Sequence, residues 1–376
     1  MSTRRRWVVG VALGLLALLL VTGGVYTWWL GGGLASVSDT VQARAKVAQK
    51  QLEAFRESVK AGDEKAASQH LNKAKAALGE AQDAARAPQV RIAKFLPYTR
   101  STVADLDHLL KAARVLVYSA DDALTLYVAY SGNNSTLFKD GRVDVAALVK
   151  ARDAMRELQA ALVEAKSELG QVDGGGPMGD DALDKKRTGL RQIRSLQAEL
   201  KPLAPLVEAL PSAVGADGVR RYLVAIMNPA EMRASGGAPL SMAMVVLKDG
   251  KLTIPIKGTT SDHYLHSPEG LLGDSPQLVW NRVKGDPFQP PLGKPVRFVN
   301  TGFNPDFRVS GEQMMLATPK NFGMKTDGVI AIDVVALAKL LKVVGPIESD
   351  FGTLTSENLA DELLVKAYEE QGTDVQ

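Results

Sequence analysis

Cysteine is absent from this chain. Disulfides, thiolate nucleophiles and cysteine-ligated metals are therefore excluded, while the compartment stays open. An excess of one charge is also missing: 45 lysines and arginines against 42 aspartates and glutamates leave a net charge of +3. That balance argues against nucleic acid as a partner, because such binders gather basic charge on one face. Neither a G-x-x-x-x-G-K-[ST] phosphate loop nor a G-x-S-x-G nucleophile elbow occurs, so P-loop and nucleophile-elbow chemistry have no sequence support. Histidines are few. His263 and His266 stand near Asp262 in SDHYLHSPEG, but the segment is not patterned as a helix and brings no further strong ligand, so core or loop histidines are the simpler reading than zinc.

Long apolar runs are missing too, with one exception. Arg4, Arg5 and Arg6 precede an uncharged stretch from Trp7 to Leu30, with Trp7, Trp28 and Trp29 at its ends. About 20 apolar residues span a bilayer as a helix, aromatic rings favour its interfaces, and arginines stay in the cytoplasm. The expectation is a cell-membrane protein with residues 1–6 cytoplasmic, a transmembrane helix over 7–30, and the rest extracellular. A cleaved signal peptide is the rival, with Gly33-Leu34-Ala35 as small residues for processing, although its apolar core is usually about 7–15 residues.

Residues 36–170 carry helical periodicity. Val41, Ala45, Ala48, Leu52, Phe55 and Val59 share one helix face, as do Ala67, Leu71, Ala74, Leu78, Ala81 and Ala85. Asp63 is placed to cap the second helix. Pro88 and Pro97 bracket a connector, Val103–Val117 continues the pattern, and Leu148–Leu169 forms a further helix. The alanine-rich seams predict a helical stalk or bundle, with self-association of copies as an alternative use of the same stripes. VDGGGPMGDD opens a linker region, residues 171–216, that contains one more helix. From 217 to 376 the texture changes. RYLVAIM and MAMVVLKDGKLTI read as strands with Asp249-Gly250 as a hairpin turn. GVIAI reads as a strand covered on both faces, followed by a helix, and LTSENLADELLVKAYEE as a capped helix. The fold class expected is an α/β extracytoplasmic domain (mixed sheet with flanking helices) preceded by one transmembrane helix and the α-helical stalk or bundle.

The ordered motifs RYLVAIMNPAEMRASGG, KDGKL, FNPDF, DGVIAIDVVALAKLLKVVGPI and LTSENLADELL resemble a bacterial membrane-anchored family known as domain of unknown function 4012. The resemblance covers about Arg220 to Tyr368. This chain departs from the family pattern at Pro229 and at Ala238-Pro239, and its end at Gln376 is earlier than the family's usual one. The segment DGVIAIDVVALAKLLKVVGPI is more distantly similar to the LytR-CpsA-Psr phosphotransferases. That likeness implies cell-envelope work on a cell-wall glycan or polyprenyl-linked precursor, with arginines and aspartates gripping a pyrophosphate and a metal.

Three groups of residues are candidates for such chemistry. Glu231, Arg233, Gly236 and Gly237 lie between two strands. A guanidinium takes phosphate bidentately and glycines admit backbone donors to an anion, whereas a tight turn closed by a Glu231–Arg233 pair is the architectural alternative. Asn304 and Asp306 form an N-P-D turn in which Asp306 either holds Mg²⁺ or caps a helix. Asp333 follows the GVIAI strand, where α/β sheets collect ligands, and equally suits a helix cap. The function expected is binding or processing of an anionic glycan or lipid-linked phosphate; the alternative is a non-catalytic envelope scaffold acting through the helices. Apolar residues between Ile256 and Pro295, Trp280 and Phe288 among them, are candidates to line a lipid site.

Overall fold

The computed structural model describes residues 32–97, 99–131, 138–139, 142–176, 179–259, 271–272, 296–349 and 352–363. The chain divides into two compact units, Met1–Pro211 and Ser212–Gln376.

The first unit is helical: α1 (Gly32–Ala61), α2 (Glu64–Ala84), the single-turn α3 (Pro88–Ala93), α4 (Arg100–Tyr118), α5 (Ala120–Ser131), α6 (Val145–Gly170), α7 (Gly179–Leu200) and α8 (Ala204–Ala213), whose last two residues belong to the second unit. Between α5 and α6, β1 (Phe138–Lys139) pairs antiparallel with β2 (Arg142–Val143). The stripes of α1 and α2 face each other: Val41, Leu52, Phe55, Val59, Leu71 and Leu78 share one core. Burying each of these leucines is worth about 2 kcal/mol. Asp63 accepts the amide of Ala66 at 2.9 Å and so starts α2. Leu158, Leu162, Ile193, Leu196 and Leu200 build a second core from α6 and α7. The glycine run between those two helices is held rather than loose. Asp105, only 1% exposed, accepts the amides of Asp173 at 2.9 Å and Gly174 at 3.0 Å, and Lys186 donates to the Gly170 and Val172 carbonyls.

The expected fold class needs one correction. Among the described residues no helix is long and apolar enough to cross a membrane. A spanning helix needs about 20 mostly apolar residues in succession; α1 and α6 have the length, but every turn or two carries a charge, as at Arg44, Lys50 and Glu57 in α1. Trp7–Leu30, on which the transmembrane expectation rested, lies outside the described residues, as do Asp262, His263, His266, Trp280 and Phe288.

The second unit is α/β. Its strands β3 (Arg220–Asn228), β4 (Ala238–Lys248), β5 (Lys251–Thr259) and β8 (Gly328–Asp333) lie in the order β5-β4-β3-β8. The sheet is mixed: β3 and β4 are antiparallel, as are β4 and β5, whereas β8 runs parallel to β3. Asp249 (φ 47°) and Gly250 (φ 73°) make the β4–β5 turn, the left-handed pair that a two-residue hairpin needs. Two-residue strands β6 (Leu271–Leu272) and β7 (Val296–Arg297) pair with each other and lead into a 3₁₀ turn, Phe298–Phe303. Helix α9 (Phe307–Phe322) sets Met314 and Ala317 against Leu223, Ala225 and Met227 of β3. β8 is followed by α10 (Val334–Val344), the hairpin β9 (Ile347–Ser349) with β10 (Gly352–Leu354), and the single turn α11 (Leu359–Asp361).

The GVIAI strand is not covered on both faces. It ends the strand order, and Ile330 is 44% exposed; Val329 packs on the core that α9 builds, while α10 shares a separate core with α11. The start of β8 is tied to β3 by a reciprocal pair: the Arg221 amide donates to Asp327 Oδ2, and the Asp327 amide to the Arg221 carbonyl, both at 2.7 Å.

Candidate functional site

The parallel pair β3 and β8 brings two groups of the sequence candidates to one end of the sheet. Met227 lies opposite Asp333, so both strands deliver their C-terminal ends together, the edge of an α/β sheet where ligands gather. β3 runs on into Asn228 and the loop of Glu231, Arg233, Gly236 and Gly237 before β4 begins at Ala238. The ladder closes at Asn228 opposite Ala238. This closure demands glycine at position 237: its φ is 124°, and an added Cβ would fall 2.3 Å from the Asn228 carbonyl oxygen.

The third group joins through Gly302. The Ser235 amide and the Ser235 hydroxyl both donate to the Gly302 carbonyl, at 3.0 and 2.9 Å. A Cβ on Gly302 would sit 2.8 Å from the Gly237 carbonyl oxygen and 3.3 Å from Arg233 Cβ. The two loops are therefore locked against each other, and the Asn304–Asp306 turn follows two residues later. Ser235 and Gly302 carry this junction and are not among the sequence candidates; the only hint was the run of small residues at 234–237 and at 301–302.

Each candidate has partners. The Arg233 side chain is 19% exposed, and its Nη2 lies 3.9 Å from Glu231 Oε2, while Nη1 donates to the Met232 carbonyl at 3.0 Å. Gly236 and Gly237 turn their amides onto the Arg233 carbonyl, at 3.1 and 3.3 Å. Asn228 and Asn304 are both buried, and each closes an Asx turn by accepting the amide two residues on. Asp306 caps α9 through the Arg308 amide and also takes the Arg308 guanidinium at 2.7 Å. These Arg308 hydrogen bonds hold the Asp306 carboxyl below its ordinary range. Asp333 caps α10 by accepting the Ala336 amide at 2.6 Å.

Magnesium asks for near-octahedral oxygen ligation, with one or two carboxylates of the protein turned towards it. Asp306 and Asp333 are each committed to a helix N-terminus, and among the described residues no three His, Asp or Glu side chains cluster as metal ligands. As placed, Asp306 and Asp333 do not fit a shared magnesium ion: each carboxylate is turned onto its own helix N-terminus, and Asp306 also onto Arg308. Chemically, the arrangement offers a half-buried guanidinium, held by its own loop at the rim of the sheet, with the exposed Met232 beside it.

No curated protein and no solved structure gives a match to this chain. The likeness to the LytR-CpsA-Psr phosphotransferases stays a sequence resemblance. Residues 217–368, which hold the whole sheet end just described, match the family model whose description is "Protein of unknown function (DUF4012)".

Proposed function

We propose that the second unit is a binding module for an anionic glycan or a lipid-linked phosphate of the cell envelope, with Arg233 as its anion-binding group. The observation that carries this reading is the placing of Arg233 at the C-terminal ends of β3 and β8, in a loop clamped by Ser235 onto Gly302. A fixed guanidinium gives up little conformational freedom on taking an oxyanion, and two parallel N–H bonds to phosphate are worth more than neutral ones. Glu231 is the built-in competitor: an incoming phosphate displaces a carboxylate that is 3.9 Å away, beyond hydrogen-bond length. Binding suits these residues better than turnover does, since Asp306 and Asp333 each cap a helix and neither is free for acid–base work.

Farnesyl pyrophosphate and inorganic pyrophosphate are suitable probes in titration calorimetry on the full chain. Arg233→Ala is expected to weaken binding about 10- to 100-fold, the loss of one charge-assisted contact, and Arg233→Lys to recover part of it. Equal binding by wild type and Arg233→Ala removes this reading.

The helical unit supports a second reading, a scaffold that holds a partner. A groove of about 530 Å³ runs between α6, α7 and α8, lined by Leu162, Val163, Leu200, Ala204 and Pro205. Val163 at its edge is 61% exposed. Val163→Asp is expected to abolish capture of an envelope partner without changing pyrophosphate binding; capture unaffected by the substitution discards the groove.

A further inference from the structure

The connector between α2 and α4 is a basic and apolar projection that neither reading uses. From Ala84 to Ala104 the sequence holds Arg86, Arg91, Lys94 and Arg100 and no acidic residue. Ile92, Phe95 and Leu96 are 64%, 86% and 49% exposed. Bulky apolar side chains in a loop ordinarily turn inward, and here the backbone prevents it. Val90, Ala93 and Val103 form a small core beneath the connector. The Thr99 hydroxyl, itself buried, donates to the Ala93 carbonyl at 2.7 Å. Successive turns then fix the chain, with the Phe95 amide on Ile92, Leu96 on Ala93 and Arg100 on Leu96. The three apolar side chains are thus held outward, with cations on either side.

We infer that this projection is a lipid-surface contact, with Ile92, Phe95 and Leu96 entering the interface of an anionic bilayer and Arg91, Lys94 and Arg100 facing its headgroups. An aromatic ring and aliphatic chains flanked by arginine and lysine are the composition that lies in a bilayer interface, and each basic residue near an anionic surface adds about fivefold to the affinity. Charge selects the occupant: among the described residues the one ion pair made by these four cations is that of Arg86 with Asp83, at 3.9 Å and exposed on both sides. Placement agrees. α1 and α2 are antiparallel, as the Arg44–Glu80 pair at 2.7 Å requires, and α1 also touches α3. The projection therefore lies at the end of the helical unit where α1 begins, the end at which the uncharged run Trp7–Leu30 joins it in sequence. The inference is independent of the Arg233 site.

A chain without cysteine can be labelled at one chosen position. Phe95→Cys carrying an environment-sensitive dye is added as the full chain to vesicles of phosphatidylcholine with phosphatidylglycerol, to vesicles of phosphatidylcholine alone, and to a DNA duplex. Glu164→Cys, on α6, is the control. The N-terminal apolar run is present in every arm, so immersion of residue 95 is the readout, not vesicle binding as such. The expected result is a blue shift and loss of quencher access at 95 on the anionic vesicles, with position 164 remaining aqueous. Substituting Arg91, Lys94 and Arg100 by Gln is expected to lower the immersed fraction at least about tenfold. A dye at 95 that stays aqueous on anionic vesicles overturns the inference. So does a response equal on both lipids and indifferent to the three substitutions, or a response to DNA alone.

Discussion

Ser235 is joined to Gly302 twice, its amide and its hydroxyl both donating to one carbonyl oxygen at 3.0 and 2.9 Å. This pair of hydrogen bonds ties the Arg233 loop to the 3₁₀ turn before α9, where Gly237 and Gly302 stand close together. Ser235→Ala should cost about 1 kcal/mol, the usual net worth of one hydrogen bond. Gly237→Ala should cost more than about 2 kcal/mol, because it combines an unfavourable φ with a backbone collision. Hydrogen exchange at β3 and β4 is the measurement, since it reports this unit separately from the helical one. Unchanged protection in Gly237→Ala would show that the loop can part from the Gly302 turn at no cost.

Asp306 and Arg308 make the next expectation. Asp306→Ala removes the α9 cap as well as the Arg308 partner, and the cap alone is typically worth about 1 kcal/mol. A chelator should leave the unfolding of wild type and variant unchanged, because neither the capping bond to the Arg308 amide nor the bond to its guanidinium involves a metal ion. A magnesium-dependent rise in the wild-type midpoint that Asp306→Ala abolishes would restore the metal reading of this carboxylate.

The legible parts of this chain are those in which one physical rule acts alone. The stripes Val41–Val59 and Ala67–Ala81 lie on buried faces because the helical period is enough to define the face. Asp63 caps α2, and Asp249-Gly250 forms the hairpin turn, because both depend on local backbone chemistry. The run GVIAI was harder. A short apolar run does not say which layers flank it, and here Val334 and Leu341 of α10 share a core with Leu359 of α11 while Ile330 stays 44% exposed. At the sheet end, Glu231, Arg233 and Asp333 stood out by residue type, but Ser235 and Gly302 are 67 residues apart, and a serine and a glycine carry no signal of meeting. Phe95 was read only as part of a connector; its exposure follows from the small core of Val90, Ala93 and Val103, which no periodicity announces.

Asp105 tests how firmly the glycine run is held. Its carboxylate is buried and accepts two backbone amides. Asp105→Ala strands both donors away from water, for an expected loss of about 2–4 kcal/mol. Asp105→Asn keeps an oxygen but offers a donor towards the other amide, so it should fall between. Thermal unfolding of the helical unit, followed by far-ultraviolet circular dichroism, reads both. An alanine variant as stable as wild type would mean that water replaces the carboxylate and that its two amide bonds do not hold the segment Val172–Gly176.

Asp122 gives the pH dependence of the same unit. Desolvation by burial, then repulsion from Glu157 and Asp121, pushes its carboxyl from 3.8 up to about 6 against the opposing pull of Lys75. The sign follows from proton binding. Between these two values the folded chain keeps a proton that the unfolded chain has released, so the stability present below pH 3.8 is lost as the pH rises through about 6. Asp122→Asn removes that loss. At pH 7 the variant should be the more stable by about 1 kcal/mol, a figure discounted for solvent around a half-buried group, or about 2–4 °C in midpoint for a unit of this size. Towards pH 3.8 the two proteins should converge. Added salt should reduce the share due to Glu157 and leave the desolvation share intact. An offset that stays constant from acid to neutral pH would assign the effect to packing rather than to this carboxyl.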